Sequence, residues 1–180
     1  MSLDPTLRDA ILKTVPSLRA FAVSLSGNVD RADDLVQETL LRALANIDSF
    51  RPGTNLSAWL FTILRNQFRS EYRKRRREVE DADGKYSERL KVHPEQIGKV
   101  EFNELRQALT HLPDDQREAL VLVGASGFSY EEAAEICGCA VGTIKSRVNR
   151  ARHRLAELMS VSSPEDLSPD QATRGLLTGS

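Results

Sequence analysis

The sequence lacks the features of secreted, membrane-spanning and fibrous proteins. Its 180 residues include only two cysteines, Cys137 and Cys139, which stand one residue apart and cannot form an ordinary disulfide framework. No apolar run approaches the roughly 20 residues that a membrane span needs. The N-terminal residues lack the basic and apolar blocks of a secretory signal. These absences predict a cytoplasmic protein with no membrane span.

Catalytic and metal-binding motifs are missing as well. The chain contains no nucleophile–base motif, no glycine-rich phosphate loop and no spacing typical of metal ligands. The histidine nearest to the cysteine pair, His153, lies well along the next predicted helix. We therefore expect the two thiols to pack as small side chains around a turn, and we expect no metal, no cofactor and no enzymatic activity.

The net charge of −1 does not by itself indicate a nucleic-acid partner, but the charges are unevenly distributed. Residues 65–77 hold seven Arg or Lys and one Glu, and residues 141–158 hold five and one, so the rest of the chain is acidic. Either stretch alone could be a solvated helix face. Because each accompanies a further motif, the pair favours local contacts with phosphates.

Apolar residues recur at helical spacing in the N-terminal half, and no segment alternates like a strand. A first helix is predicted over residues 6–26, with Pro16 expected to kink or split it. Asp30 is a candidate cap for a second helix, and Ser57 for a third that covers residues 58–77. The fold class is therefore all-α.

Two small helical domains are predicted, joined by a flexible linker. The first, residues 1–77, precedes a linker of residues 78–100 with little apolar periodicity. The second domain covers residues 101–160. Within it, one helix is predicted to begin after its candidate cap, Asp114, and to end near Ser126. Residues 161–180, rich in Ser, Pro, Asp and Thr, are expected to form a mobile tail.

The second domain contains a predicted helix-turn-helix. Ser129 and Glu132 have the spacing of a capping box at the start of a short helix that ends near Cys137. Gly138 makes the turn, and a last helix begins at about Val141. In such a motif the second helix enters the major groove of DNA, although an ordinary helical hairpin has a similar pattern.

The last helix has one apolar face, predicted to pack inward, and one polar face without acidic residues. Free backbone N–H groups at its N-terminus favour a phosphate, and the polar side chains suit base edges. The candidate DNA contacts are Gly142, Thr143, Lys145, Ser146, Asn149 and Arg150.

Both halves of the chain resemble the sigma-70 family of RNA polymerase specificity subunits, over most of residues 7–158. Residues 33–44, 50–53 and 58–66 resemble conserved region 2, whereas residues 112–119, 127–134 and 141–152 resemble region 4. The absence of an intervening region 3 resembles the extracytoplasmic-function group. The loop Phe-Arg-Pro-Gly-Thr-Asn-Leu at residues 50–56 is closest to the EcfG-like general-stress branch.

The resemblance implies a sigma factor that directs core RNA polymerase to promoter DNA and performs no chemistry. In that family the second helix docks on a coiled coil of the polymerase β′ subunit, region 4 meets the β flap, and the recognition helix contacts the −35 element. The implied docking residues are Asp34, Leu35, Gln37 and Glu38. The implied contacts with the −10 element are Arg51, Asn55, Trp59, Arg65, Asn66, Arg69 and Arg73.

The position of one aromatic residue is left open. Trp59 could stack on melted DNA or fill the core beside Ile63, whereas Phe61 and Phe68 are expected in the core.

The resemblance also implies inhibition by a small anti-sigma factor of the NepR type, released by a PhyR-type protein.

Two other functions compete with this interpretation. A sigma-like decoy that titrates an anti-sigma factor should have lost the basic and base-contacting residues, which this chain keeps. A stand-alone helix-turn-helix regulator would not account for the docking segment or for Asn66. An enzyme fits the sequence least well.

Overall fold

The computed structural model describes residues 3–81 and 100–159 of the chain. All regular elements in these two ranges are helical, which confirms the predicted fold class. The chain divides into two compact units, Met1–Val92 and His93–Ser180. Most of the predicted linker and the predicted mobile tail lie outside the described residues.

The first unit packs three helices around one core. They are α1 (Pro5–Ser26), α2 (Val29–Ala45) and α3 (Leu56–Asp81), with a short 3₁₀ turn at Ile47–Ser49 before α3. The rings of Phe21 and Phe61 stack at the centre with centroids 5.0 Å apart. Complete burial of large apolar side chains holds the three helices together, since each contributes about 1.5–3 kcal/mol. Those almost without exposure are Leu18, Phe21, Leu60, Phe61 and Leu64.

The structure corrects two predicted helix caps in this unit and excludes one of the two alternatives for Pro16. Pro16 does not split α1, which is one continuous helix. Because Pro16 and Leu12 are both exposed, the carbonyl left without a donor lies on the solvent side. Asn28, not Asp30, caps α2, accepting a hydrogen bond from the Arg31 N–H at 3.0 Å. Asn55, not Ser57, caps α3. The helix continues to Asp81, beyond the predicted end of the first domain at residue 77.

The second unit contains α4 (Val100–Thr110), α5 (Asp114–Leu120), α6 (Tyr130–Cys137) and α7 (Val141–Leu158). The helix predicted to continue from α5 to about Ser126 instead changes to a π-helix at Val121–Ala125. The core of the second unit includes Leu122, Ile136, Ile144 and Val148, all at most 2% exposed.

Asp114 does not cap α5, because the residue before the helix is Pro113 and no side chain closes that end. Instead, the Asp114 carboxylate accepts a hydrogen bond from the buried Arg117 guanidinium at 2.8 Å. Desolvation by burial lowers the pKa of Arg117, and the attraction of Asp114 opposes that effect. The acidic residue thus stabilises a buried cation.

The helix-turn-helix prediction is confirmed in its local geometry. Ser129 accepts from the Glu132 N–H at 3.1 Å, and the Glu132 carboxylate accepts from the Ser129 N–H at 2.9 Å. Such a cap stabilises a helix by about 1 kcal/mol. Gly138 ends α6 in the left-handed region, with φ 64°, which costs a glycine little. This turn leads directly into α7.

Candidate nucleic-acid and polymerase interfaces

Helix α7 has a buried face and an exposed face, as predicted. Its inward side chains are Ile144, Val148, Ala151 and Leu155, each at most 3% exposed. This packing fixes the rotation of α7 about its own axis. The opposite face is therefore presented to solvent in one orientation.

The exposed face of α7 carries hydrogen-bond donors without partners in the described part of the chain. Ser146, Asn149 and Arg150 are exposed, and their side chains have no hydrogen bond or ion pair there. Lys145 is also exposed, and its ammonium lies 5.8 Å from the centroid of the Tyr130 ring. Groups without internal partners are available to an external ligand at no cost in broken contacts.

The N-terminus of α7 differs from its prediction in one detail. The Thr143 N–H already donates to the Ala140 carbonyl at 3.0 Å, and the Thr143 residue is half-buried. Gly142 is exposed, and its N–H has no such bond in residues 100–159. Gly142 is therefore the better placed of the two for an anion.

Arg147 makes contacts between helices that the sequence did not indicate. Its guanidinium lies 3.5 Å from the Asp115 carboxylate and 3.9 Å from the Cys139 sulfur. It thereby connects α7 to α5 and to the turn. Cys137 is buried as expected, whereas Cys139 is half-buried. No group of His, Cys, Asp or Glu in the described ranges is arranged to hold a metal ion.

Helix α3 presents a second polar face. Trp59, Asn66, Arg69 and Arg73 succeed one another at spacings of seven, three and four residues, so they project from one side of the helix. Asn66 is exposed and has no hydrogen-bond partner among the described residues. The structure thus brings together four of the seven predicted −10 contacts.

The remaining three predicted contacts have different surroundings. Arg65 is only 9% exposed and lies at the edge of the core. Asn55 is exposed, but its side-chain oxygen accepts from the Ala58 N–H at 3.1 Å, so part of its polarity is used by the helix cap. Arg51 is exposed in the loop before α3, where its carbonyl accepts from the Thr54 hydroxyl at 2.6 Å.

Trp59 is half-buried, a position between the two alternatives that the sequence left open. Its ring packs on Phe50, with centroids 5.3 Å apart and an angle of 45° between the planes. Phe61 is in the core as predicted. Phe68 is only half-buried and lies under the Arg31 guanidinium at 5.5 Å.

The predicted docking residues on α2 do not all face outward. Asp34 and Gln37 are exposed, and the half-buried Glu38 forms an ion pair with Arg42 at 2.9 Å. Leu35 is 2% exposed and belongs to the core, so it cannot contact a partner directly. A cleft of about 420 Å³ separates this part of α2 from α3 and includes Gln67, Glu71 and Arg75 in its lining.

Two large apolar residues of α2 are exposed. Leu41 is 60% and Leu44 46% exposed. They lie seven residues after Asp34 and Gln37 respectively, which places them on the same sides of the helix. The exposed surface of α2 is therefore acidic and amide-bearing at one end and apolar at the other.

Among the helices of residues 3–81 and 100–159, none combines the length and the apolar character that a membrane span requires.

Family models match both units. Residues 11–78 match sigma-70 region 2, and residues 102–155 match sigma-70 region 4. The three-helix unit and the helix-turn-helix unit thus correspond to the two conserved regions of a transcription initiation factor.

Comparison with individual proteins defines the group within this class. The chain is 71% identical over 179 residues to the ECF RNA polymerase sigma factor EcfG of Rhodopseudomonas palustris, covering 99% of both sequences. It is 37% identical over 147 residues to the ECF sigma factor SigC of Mycobacterium tuberculosis, covering 81% of this chain and 78% of that one. The chain belongs to the extracytoplasmic-function (ECF) sigma factors of RNA polymerase, and the resemblance to the EcfG-like branch is confirmed.

A solved structure agrees with this assignment. The sigma factor RpoE of Bartonella quintana, crystallised in complex with the anti-sigma factor NepR, is 56% identical and superposes with a TM-score of 0.81. The match covers 89% of this chain and 100% of that one.

Proposed function

We propose that this sigma factor places α3 against the −10 element and α7 against the −35 element of a promoter while α2 is docked on core polymerase. The observation that carries the proposal is the pair of polar faces on α3 and α7, each opposite a buried face; the α7 face is exposed, and on α3 Asn66 and Arg73 are exposed whereas Trp59 and Arg69 are half-buried. In this role the protein supplies recognition and catalyses no reaction. It acts in the cytoplasm, where the polymerase and the chromosome are found.

At the −35 element, α7 lies in the major groove. Arg150 and Lys145 can donate to acceptors on guanine or to phosphates, and Asn149 can both donate and accept. Gly142 lets an external group approach the backbone of α7 closely, because it has no side chain. The fold itself does not require a glycine here, since a Cβ atom would meet nothing within 4 Å in the chain. Alanine would favour the helix by about 1 kcal/mol. The smaller residue is thus better explained by an external ligand than by the fold.

At the −10 element, Asn66 contacts an unpaired base and the arginines of α3 contact the strand backbone. An exposed carboxamide can satisfy both donors and acceptors on a flipped base edge. Arg69 and Arg73 lie on the same face of α3 and can neutralise phosphates. Binding should therefore weaken steeply with added salt, since each neutralised phosphate releases counterions.

Docking on polymerase uses the exposed part of α2. The carboxylates of Asp34 and Glu38 suit a basic helix such as the β′ coiled coil, and Gln37 can bond to polar groups beside it. Region 4 contacts the β flap in the same complex. Residues 82–99 can span at most about 60 Å when extended. Two turns of B-DNA, each of about 34–36 Å, are somewhat longer than that. One chain can therefore reach both promoter elements only if the helical units at either end supply the rest of the distance.

We also propose regulation by an anti-sigma factor of the NepR type in a general stress response. The Bartonella quintana RpoE, which was crystallised with NepR, matches 89% of this chain. The relative from Rhodopseudomonas palustris carries the EcfG name of the general-stress branch. A partner that covers the α2 surface would block access to polymerase.

Replacing Arg150 with alanine should lower the affinity of the holoenzyme for a promoter by roughly 5- to 100-fold, since one good base contact is worth about 1–3 kcal/mol. The measurement is fluorescence anisotropy with a labelled promoter duplex. Arg154→Ala is the matched control, because Arg154 is on the same helix but pairs with Glu157 at 3.3 Å. Equal losses from the two variants would contradict the assignment of Arg150.

A further inference from the structure

The side chain of Lys145 lies over an aromatic ring. Tyr130 is the first residue of α6, and its ring centroid is 5.8 Å from the Lys145 ammonium nitrogen on α7. An ammonium group within about 6 Å of a ring centroid is attracted by the negative face of the ring. Tyr130 is half-buried and Lys145 is exposed, so the ring forms a floor beneath the cation.

The position of the ring is set by α6. Both hydrogen bonds of the capping box, between Ser129 and Glu132, fix the backbone immediately before and after Tyr130. The next turn of α6 is anchored through Ala133 and Ala134, which are buried. The backbone that carries the ring is therefore fixed before any ligand arrives.

Lys145, by contrast, has little else to hold it. It forms no ion pair or hydrogen bond with any residue that the structure describes. A lysine carries a flexible stem of four carbons, and immobilising it on binding costs conformational entropy. An attractive surface under the ammonium reduces that cost, because fewer conformations remain to be lost when the ligand binds.

We propose that Tyr130 is a positioning residue for promoter recognition: it holds the Lys145 ammonium on the DNA-facing side of α7, ready for a phosphate or a purine acceptor. This inference rests on the proposed role of α7 at the −35 element and adds to it a residue from the first helix of the motif. The ring face carries the effect, and the phenol hydroxyl is not needed.

A double-mutant cycle tests the coupling between the two side chains. The full chain, assembled with core polymerase, is titrated against a labelled promoter duplex as wild type, Tyr130→Ala, Lys145→Ala and the double variant. We expect Tyr130→Ala to weaken binding by roughly two- to fivefold. In the Lys145→Ala background the same change should have almost no further effect, since the interaction is already absent.

Two further variants separate the ring from its bulk. Tyr130→Phe keeps the aromatic face and should bind like wild type. Tyr130→Leu keeps apolar volume without an aromatic face and should weaken binding as alanine does, even if Tyr130→Ala fails to fold. Circular dichroism checks that each variant is helical.

Four outcomes would overturn the inference, and they differ in what else they affect. Equal losses from Tyr130→Ala in the two backgrounds, or full binding by Tyr130→Leu, would reduce Tyr130 to a packing residue and leave the proposed function intact. Unchanged binding by Lys145→Ala alone would remove Lys145 from the promoter contacts as well. A wild-type holoenzyme that ignores the promoter would contradict the proposed function itself.

Discussion

Asn66→Ala should leave the chain bound to core polymerase while promoter opening falls by roughly 5- to 100-fold, the value of a lost base-specific contact. Asn66 is exposed on α3 and has no partner among the described residues, so its removal breaks no internal hydrogen bond. The loss should therefore appear in strand opening and not in folding or assembly.

Opening is measured by the permanganate reactivity of thymines in the −10 element, and assembly by co-elution with core polymerase. Glu78→Ala is a suitable control, because Glu78 is exposed on the same helix about three turns later, lies outside the basic stretch of residues 65–77, and has a side chain without a partner in the described ranges. Equal thymine reactivity in Asn66→Ala and wild type would show that α3 does not capture a base through this side chain.

Asp34→Arg should reduce association with core polymerase by a factor on the order of 100, because like charges brought together at an interface cost several kcal/mol. Asp34 is exposed and has no ion pair in the part of the chain that the structure describes. Reversing its charge therefore disturbs the proposed contact with a basic helix without breaking a bond inside the protein.

The matched control for this charge reversal is Asp48→Arg, in the 3₁₀ turn before α3. Asp48 is likewise exposed, and the change in net charge is the same. Anisotropy of the labelled sigma factor titrated with core polymerase measures both variants. If the two reversals weaken binding equally, the effect is one of overall charge and the docking surface on α2 is wrongly placed.

The sequence predicted best what depends on a few neighbouring residues. The capping box closes between Ser129 and Glu132, three positions apart, and the Gly138 N–H bonds to carbonyls three and four positions earlier, so tertiary packing has little influence on either. The two faces of α7 followed from helical periodicity in the same way. Local geometry and burial pattern agreed, and both were correct.

Predictions failed where packing chooses between similar residues. Asn28 and Asp30 are both residue types that cap helices well. Because α2 begins at Val29, Asn28 occupies the capping position. The docking motif crosses both faces of one helix, so a contiguous set necessarily included the buried Leu35. Leu41 and Leu44 have core spacing, yet three helices leave that side of α2 uncovered.

Contacts between helices were beyond the reach of the sequence. Arg147 pairs with Asp115, which is 32 positions earlier in the chain, only because α5 and α7 pack together. The approach of Tyr130 to Lys145 similarly requires the angle between α6 and α7. Neither pair is close enough in sequence to produce a local pattern.

The central claim is that this chain joins core polymerase and directs it to a start site. Run-off transcription with purified core polymerase lacking any other sigma factor tests it most directly, on a promoter from a candidate stress gene. The account predicts a discrete transcript that requires the chain and disappears when the −35 or −10 element is scrambled. A chain that fails to bind such core polymerase, or transcription that ignores both elements, would contradict it.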